Sequence, residues 1–515
     1  MSNLENNVCE NLENNESTIF CSSEIIPVTP IKEKIFTLKD GIFTLVFIVI
    51  SFVIVKLFFT GDISTGSVIS SGYYHIILAV MGILALFYIG KKPDKTGWCF
   101  FGASMFFCTV PFFSSTATVR LLSWVYAAIM LCIFAYGFSR EGDMFGKGAV
   151  SRIAEAVVAT PFQNFSAGPR SIGTVFSKGK SKVKVILYIL VGLILSLPAT
   201  FVCVYMLSSA DENFDRIAGG IAKFMTNDIG TNIFTLLFSL PLAFLLFGYL
   251  ANTKESKEIA EQTSSVTAVV PFAMVCSAIT PILVSYILFF VCQLPYFLGA
   301  FTGVLPEGYS FSEYARSGFF ELCVVCFINF FILILANIFS RNREDGKKPV
   351  TLRVFLSVLC ISSLILIVSA LSKMLLYIGE LGLTEKRFYT SWFMLALAIV
   401  FIIELVREIK PSIPAVKLQI AGFSVMLALL CFCDPDARIA RNNVEGYLSG
   451  KYQTVDLYSM YDLSESALPY IAKLPEKDEN VKGYLFDYKE SLKNRIAYSV
   501  YFPVSIPAIN ADKYL

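Results

Sequence analysis

Long apolar stretches, each close to twenty residues, follow one another along most of the chain. A bilayer core about 30 Å thick is crossed by roughly 20 apolar residues in a helix. Because a backbone in lipid must satisfy its polar groups internally, we expect each stretch to be a membrane-spanning helix. The pattern predicts an all-α, polytopic transmembrane bundle of about eleven spans, at residues 41–59, 73–90, 97–115, 119–139, 184–207, 229–250, 267–292, 317–339, 352–377, 388–407 and 416–433.

The two ends of the chain are polar instead. Residues 1–40 are rich in Asn and Glu and hold no Lys or Arg before Lys32, unlike a secretory signal peptide. We expect residues 1–40 to be a disordered cytosolic tail and residues 41–433 to be the transmembrane domain. In residues 434–515, apolar positions such as Ile439, Val444 and Leu448 recur among charges. This pattern predicts a small helical unit that docks on the outer face of the transmembrane domain.

Positively charged residues alternate between the loops and predict the orientation. With a cytosolic N-terminus, the cytosolic loops hold 24 Lys and Arg residues, and the opposite short loops hold Arg216, Lys223, Arg316, Lys386 and Arg387. Cytosolic loops of membrane proteins carry the excess of Lys and Arg. We therefore expect a multi-pass protein of the bacterial plasma membrane with a cytosolic N-terminus and an extracytoplasmic C-terminus.

Composition narrows the function classes. Hydrophobic residues make up 55% of the 515 residues and charged residues only 16%, which excludes a soluble globular enzyme. The net charge of +2 gives no reason to expect nucleic acid as a partner. The single histidine, His75, argues against a histidine-based metal centre, and most of the 13 cysteines lie in or beside apolar runs.

Motifs for catalysis are missing from the sequence. It has no phosphate-binding loop, no dinucleotide fingerprint and no H-E-x-x-H zinc motif. No cofactor and no metal are implied, and a non-enzymatic role is favoured, with an enzyme left open.

A few ionisable residues, which are energetically unfavourable inside a bilayer, lie within the apolar runs. Glu321 lies about one turn inside its span, where Arg316 or Lys373 could pair with it, and Glu404 lies near Arg407. Ionisable residues inside spans are functional candidates by default, although structural pairing is the alternative for each.

Proline lies near the middle of two consecutive predicted spans. Pro198 and Pro241 each follow a Ser-Leu pair, and a proline frees backbone carbonyls that a cavity can use. The two prolines are a candidate hinge, although proline kinks are also common in membrane helices. In the long cytosolic loop before the first of these two spans, residues 151–166 have an amphipathic pattern that predicts a surface helix up to Pro161.

Four short motifs stand in a fixed order in the second half of the chain. They are S-A-D-x-x-F at 209–214, Y-A-R-x-G-F-F-E-L at 314–322, G-L-T-x-x-R-x-Y-T at 382–390 and D-A-x-I-A-R-x-N at 436–443. With these motifs, the chain resembles a family of polytopic bacterial membrane proteins that share a domain of unknown function. The resemblance covers roughly residues 200–475 and implies a membrane fold without an established activity. The chain departs from the family pattern at Asp434, where Asn is usual.

Laid over the predicted topology, all four motifs fall at or near the outer boundary of the membrane. We therefore expect their charged residues to converge into an external site, formed by Asp211, Arg316, Glu321, Arg387, Asp436 and Arg441. The alternative is an ion-pair network that only docks the C-terminal unit.

Three functions remain open. The first is an envelope sensor, receptor or assembly factor that uses the external site and needs no catalytic motif. The second is a secondary transporter of a small solute along the proline-containing spans. The third is a membrane-embedded enzyme that acts on a lipid-linked envelope substrate through outer carboxylates. The implied partners are the lipid bilayer and a membrane or envelope protein.

Overall fold

Helices occupy ten of the eleven predicted apolar runs in the computed structural model. It describes residues 36–60, 72–90, 92–139, 144–145, 149–176, 219, 228–252, 270–302, 319–340, 348–475, 479–498 and 505–515. The predicted span at 184–207 and most of the predicted N-terminal tail lie outside these residues. The all-α fold is confirmed, and the total number of spans stays a prediction.

The helices of the membrane domain are α1 (Leu38–Thr60), α2 (Gly72–Ile89), α3 (Lys95–Cys108), α4 (Val110–Phe113), α5 (Ala117–Ser139), α6 (Ala149–Ala154), α7 (Thr160–Gln163), α8 (Ala167–Phe176), α9 (Asp228–Asn252), α10 (Phe272–Thr302), α11 (Phe319–Phe339), α12 (Val350–Leu381), α13 (Glu385–Ile409) and α14 (Ala415–Cys433). Within the described residues, nine segments are long and apolar enough to cross a membrane, α3 and α4 together forming one of them. Helix α9 adds a shorter apolar stretch, Thr235–Ala251. The chain is therefore a multi-pass membrane protein.

Two groups of helices form separate apolar cores. The first core contains buried side chains of α1 to α5, α9 and α14, such as Phe47, Phe134 and Leu427. The second core contains those of α10 to α13, such as Leu356 and Phe401. Helices α13 and α14 pack against each other, so the boundary between the two cores runs between these consecutive helices.

We call the end of the bundle at which α12 and α14 end and α13 begins the tail side, and the other end the opposite side. On the tail side, residues 434–515 form the tail unit, with α15 (Pro435–Leu448), α16 (Leu468–Ile471), α17 (Glu479–Tyr498) and α18 (Ile506–Ala511). Its own apolar core holds Ile439, Leu463, Leu468, Tyr488 and Leu492. The tail unit is therefore a third packed body and not an extended strand of chain.

The amphipathic segment 151–166 remains helical beyond Pro161, so the expected break there is wrong. A π-helical turn (Glu155–Ala159) precedes α7, and Pro161 lies in the first turn of α7, a position where proline is common. Val158 and Phe162 are exposed apolar side chains on this segment. Its far end packs on α9, where the backbone oxygen of Asn164 is 2.5 Å from the position that a Cβ on Gly248 would take.

Candidate functional site

The tail unit begins without any loop between it and the membrane domain. Helix α14 ends at Cys433 and α15 begins at Pro435, so Asp434 alone forms the junction. Asp434 has a left-handed backbone with φ 48°, a conformation that Asp and Asn adopt more readily than most residues with a side chain. Arg438 Nε donates to the last carbonyl of α14, at Cys433, with a distance of 2.7 Å.

Asp436 is the most deeply buried carboxylate of this interface, with 1% of its surface exposed. Its Oδ2 accepts hydrogen bonds from Thr116 Oγ1 at 2.9 Å and from the backbone N–H of Ser464 at 3.0 Å. Thr116 immediately precedes α5 and Ser464 belongs to the tail unit, so one carboxylate joins three segments. Its Oδ1 is also buried and has no hydrogen-bond partner among the described residues. Burial raises the pKa of Asp436, and the bonds to Ser464 and Thr116 oppose that shift.

Further acidic groups lie around Asp436. Asp434 Oδ1 accepts a hydrogen bond from Ser466 Oγ at 2.7 Å, and burial raises the pKa of Asp434 too. Glu385, in the first turn of α13, lies within electrostatic range of Asp436 and of Asp462. The interface is therefore crowded with carboxyl groups that are partly shielded from water.

Arg120, in the first turn of α5, is a cation of the membrane domain near this interface. Its Nε donates to the carbonyl of Ser114 at 2.7 Å, and its Nη2 donates to that of Pro111 at 3.3 Å. Pro111 lies within α4 and Ser114 follows it, so the Arg120 guanidinium holds this short helix to α5. Glu465 of the tail unit lies within electrostatic range of Arg120.

A second contact joins the tail unit to the connection between α12 and α13. Asn443 accepts from the Leu383 N–H and donates to the Leu383 carbonyl, both at 2.7 Å, so its amide clamps one backbone residue. Gly382 precedes it with φ 74°, and a Cβ there would lie 2.6 Å from Asn443 Oδ1. Tyr452 OH also donates to the Ile378 carbonyl at 3.2 Å.

The other predicted site residues lie in different surroundings. Arg387 donates to the carbonyls of Leu381 and Gly382 and stacks over the Tyr377 ring at 4.0 Å, so it closes the α12–α13 turn. Arg441 forms an exposed ion pair with Glu445.

Glu321 is exposed at the start of α11 and lies within electrostatic range of Lys373, one of the two partners expected for it. Asp211 and Arg316 lie outside the described residues. The convergence of all six charges into one site therefore stays a prediction.

The candidate hinge also stays a prediction. Pro241 lies inside the unbroken helix α9, and Pro198 lies outside the described residues.

In the second core, the buried Asn329 accepts from Tyr286 OH at 2.6 Å and donates to Ser363 Oγ at 2.9 Å. Its amide thus joins α10, α11 and α12.

The opposite side has its own polar network. Glu404 is buried and pairs with Arg407 at 2.8 Å, as the sequence predicted. Glu404 also accepts from Asn337 on α11 and from Gln419 on α14, so it links both helix groups. Beside it, Lys348 pairs with the buried Glu408; burial lowers the pKa of Lys348, and Glu408 opposes the shift.

Sequence reasoning missed Thr116, Ser464 and Glu385 at the tail side. Each stands at the start of a helix or helical turn, where Ser, Thr and acidic residues are common for local reasons. Nothing in these local patterns indicates a shared partner. In the described part of the chain, no group of three His, Cys, Asp or Glu residues is arranged to hold a metal ion.

Together these features define an α-helical, multi-pass membrane protein with a helical unit fixed to one end of its bundle. A family model described as a domain of unknown function (DUF4153) matches residues 76–474. The chain belongs to this family, which confirms the resemblance, and the matched region includes the junction at Asp434 and the contacts of Asp436 and Asn443. Comparisons with curated proteins and with solved structures find no match.

Proposed function

We propose that this protein is an envelope sensor or receptor of the bacterial plasma membrane, with a cytosolic N-terminus. The tail unit reads a signal outside the cell. It then shifts the two helix groups relative to each other, and a partner protein on the cytosolic side responds. An assembly factor that binds an envelope protein through the same unit is the closest variant of this role.

The distribution of charge supports this orientation. The described chain on the opposite side carries Lys348, Arg353, Arg407, Lys410 and Lys417. On the tail side, the short α12–α13 turn and the first turn of α13 together carry two such residues, Lys386 and Arg387. The excess of Lys and Arg favours the opposite side as cytosolic.

The observation that carries the proposal is that the tail unit holds both helix groups at once. Asp436 binds Thr116, which leads into α5 of the first group, and Asn443 binds Leu383, which leads into α13 of the second. The tail unit also continues directly from α14. A displacement of this unit therefore acts on both sides of the boundary between the cores.

A relay to the cytosolic side follows from the same geometry. Helices α13 and α14 run side by side to the opposite side, where Glu404 and Gln419 join them at 3.2 Å. Packed helices move as stiff units, so sliding of α13 along α14 on the tail side is felt at this contact. The Lys410 to Pro414 turn between them is the surface that a cytosolic partner would read.

Orientation is tested first, by labelling single cysteines with a membrane-impermeant maleimide in intact cells. Ser449 and Ser412 are exposed serines on the tail side and the opposite side, so S449C and S412C are matched probes. We expect S449C to react in intact cells and S412C to react only after permeabilisation. The reverse pattern would place the tail unit in the cytosol and refute an external signal.

The relay is tested by measuring the distance between α13 and α14 near the ends of both helices on the opposite side of the bundle. Nitroxide labels at V406C and L418C, both exposed positions, report this distance by double electron–electron resonance in nanodiscs. N443A should change the distance distribution because it releases α13 from the tail unit. N510A, at an exposed asparagine of α18, is the matched control and should leave it unchanged.

An unchanged distribution in N443A would make the tail unit a passive attachment and would refute the relay. Water accessibility of a thiol introduced at Pro241 would then favour a secondary transporter. Loss of turnover in a glutamate variant such as E321A, with the fold intact, would favour the envelope enzyme.

A further inference from the structure

Among the residues that the structure describes, the buried carboxylate of Asp436 has one hydrogen-bonded oxygen and one without a partner. Oδ2 accepts two hydrogen bonds, from Thr116 and Ser464, whereas Oδ1 is buried without a partner among the described residues. A buried anion whose second oxygen binds nothing is costly, because that oxygen has lost its hydration. The position thus favours any species that adds a positive charge at Oδ1.

The surroundings reinforce this preference. The charged and titratable groups near Asp436 are Asp434 and Arg438 on its own segment, Glu385 and Tyr389 on α13, Arg120 on α5, Asp462 and Glu465 in the loop before α16, and Tyr488 on α17. Four of these groups are carboxyl groups, two are arginines and two are tyrosines. Both arginines donate to main-chain carbonyls, of Ser114 and Cys433, and neither bonds to Asp436.

Protonation fits the geometry at Oδ1 without disturbing the interface. A proton on Oδ1 neutralises the carboxyl group, while Oδ2 keeps its two donors. A divalent metal is less suited, since no group of three ligands is arranged for one among the described residues.

We propose that Asp436 is a proton-binding site through which proton uptake on the tail side tightens the docking of the tail unit on the membrane helices. This inference deepens the proposed function and rests on it, because it names the signal that the tail unit reads.

The direction follows from linkage. Burial raises the pKa of Asp436 above its ordinary value of 3.8, so the docked state binds the proton more tightly than the undocked state. Docking is therefore strongest below pH 3.8, where both states are protonated, and weakens as pH rises through the pKa of the docked state. Above that pKa the full cost of burying the charge applies.

The test uses the full-length protein in nanodiscs and the labelling rate of a buried thiol. Ser505 of the tail unit is buried and hydrogen-bonds to Ser115 of the membrane domain, so S505C reacts only when the tail unit lifts. S449C, on an exposed serine, corrects for the pH dependence of the thiol reaction itself. Accessible native cysteines are replaced beforehand.

On going from about pH 8 to about pH 5, we expect protection of S505C relative to S449C to increase about tenfold for each unit by which the docked-state pKa lies above pH 5. D436N, which removes the titrating group, should abolish this dependence, and D487N, at an exposed aspartate of α17, should retain it. T116V removes one hydrogen bond to the charged form and should move the transition to higher pH, which tests the site even where D436N fails to fold.

Protection that stays constant with pH, or that changes with pH equally in D436N, overturns the proposal. Protection that follows sodium or ammonium concentration at constant pH overturns it too and assigns Oδ1 to a monovalent cation instead. In each of these cases the external labelling of S449C and the effect of N443A on the α13–α14 distance still decide the proposed function separately.

Discussion

The clamp between Asn443 and Leu383 allows a quantitative prediction for the docking of the tail unit. Asn443→Ala removes two hydrogen bonds of 2.7 Å and leaves both the N–H and the carbonyl of Leu383 without their partner. A buried polar group left unpaired costs about 1–3 kcal/mol. Because Leu383 is only half-buried, we take the lower part of that range for each group and expect about 2–4 kcal/mol of lost docking free energy.

Labelling of S505C measures this loss directly. When the tail unit closes faster than the thiol reacts, the rate is proportional to the population of the open state. A loss of about 2–4 kcal/mol corresponds to labelling about 30-fold to about 800-fold faster. N510A is the matched control, since Asn510 is exposed, and should leave the rate unchanged.

The same reasoning is refuted by a small effect. An increase below about threefold in N443A would mean that other contacts hold the tail unit and that the clamp contributes little. Gly382→Ala gives an independent check, because its Cβ would lie 2.6 Å from Asn443 Oδ1 and its backbone would keep φ 74°. The clash requires the Asn443 side chain, so the double variant should lose less docking free energy than the sum of the two single variants.

Three further predictions concern the membrane domain and are read from unfolding in detergent. Gly248→Ala should destabilise by about 1–3 kcal/mol, because its Cβ would lie 2.5 Å from the Asn164 backbone oxygen. Gly102→Ala, inside helix α3, meets nothing within 4 Å and should be neutral or stabilise by up to about 1 kcal/mol; equal stability of the two variants would contradict this. Glu404→Ala should lower the free energy of unfolding by about 2–3 kcal/mol, because Asn337, Arg407 and Gln419 lose their acceptor. The loss is held to this range because Arg407 is about a third exposed and remains hydrated. An unchanged unfolding midpoint would count against the network. Asn329→Ala should cost about 1–2 kcal/mol by freeing Tyr286 and Ser363, and a fully stable variant would show that these bonds are replaced.

Hydrophobic patterning predicted the helices well because membrane burial leaves a strong local signal. The runs at 352–377 and 388–407, for example, correspond to α12 and α13, and both helices extend a few residues further. Polar flanking residues such as Glu380 and Glu385 belong to these extensions, and a hydropathy pattern gives them no weight.

Local polar pairs were predictable and distant ones were not. The Glu404–Arg407 pair joins residues three apart on one helix, a spacing that sequence reveals at once. Asp436 and Thr116 are 320 residues apart, and Asn443 and Leu383 are 60 apart. Their pairing depends on how whole helices pack, which periodicity within one segment does not encode.

Because Asp434 alone joins α14 to α15, the length of α14 determines the rotation of the tail unit about the α14 axis. Each residue of a helix adds about 100° of rotation and about 1.5 Å of rise. One residue inserted into α14 near Cys433 would therefore swing α15 around the helix axis, so that Asp436 and Asn443 no longer meet Thr116 and Leu383. No flexible linker lies between α14 and α15, so a change of one residue at this junction rotates the whole tail unit relative to the membrane helices.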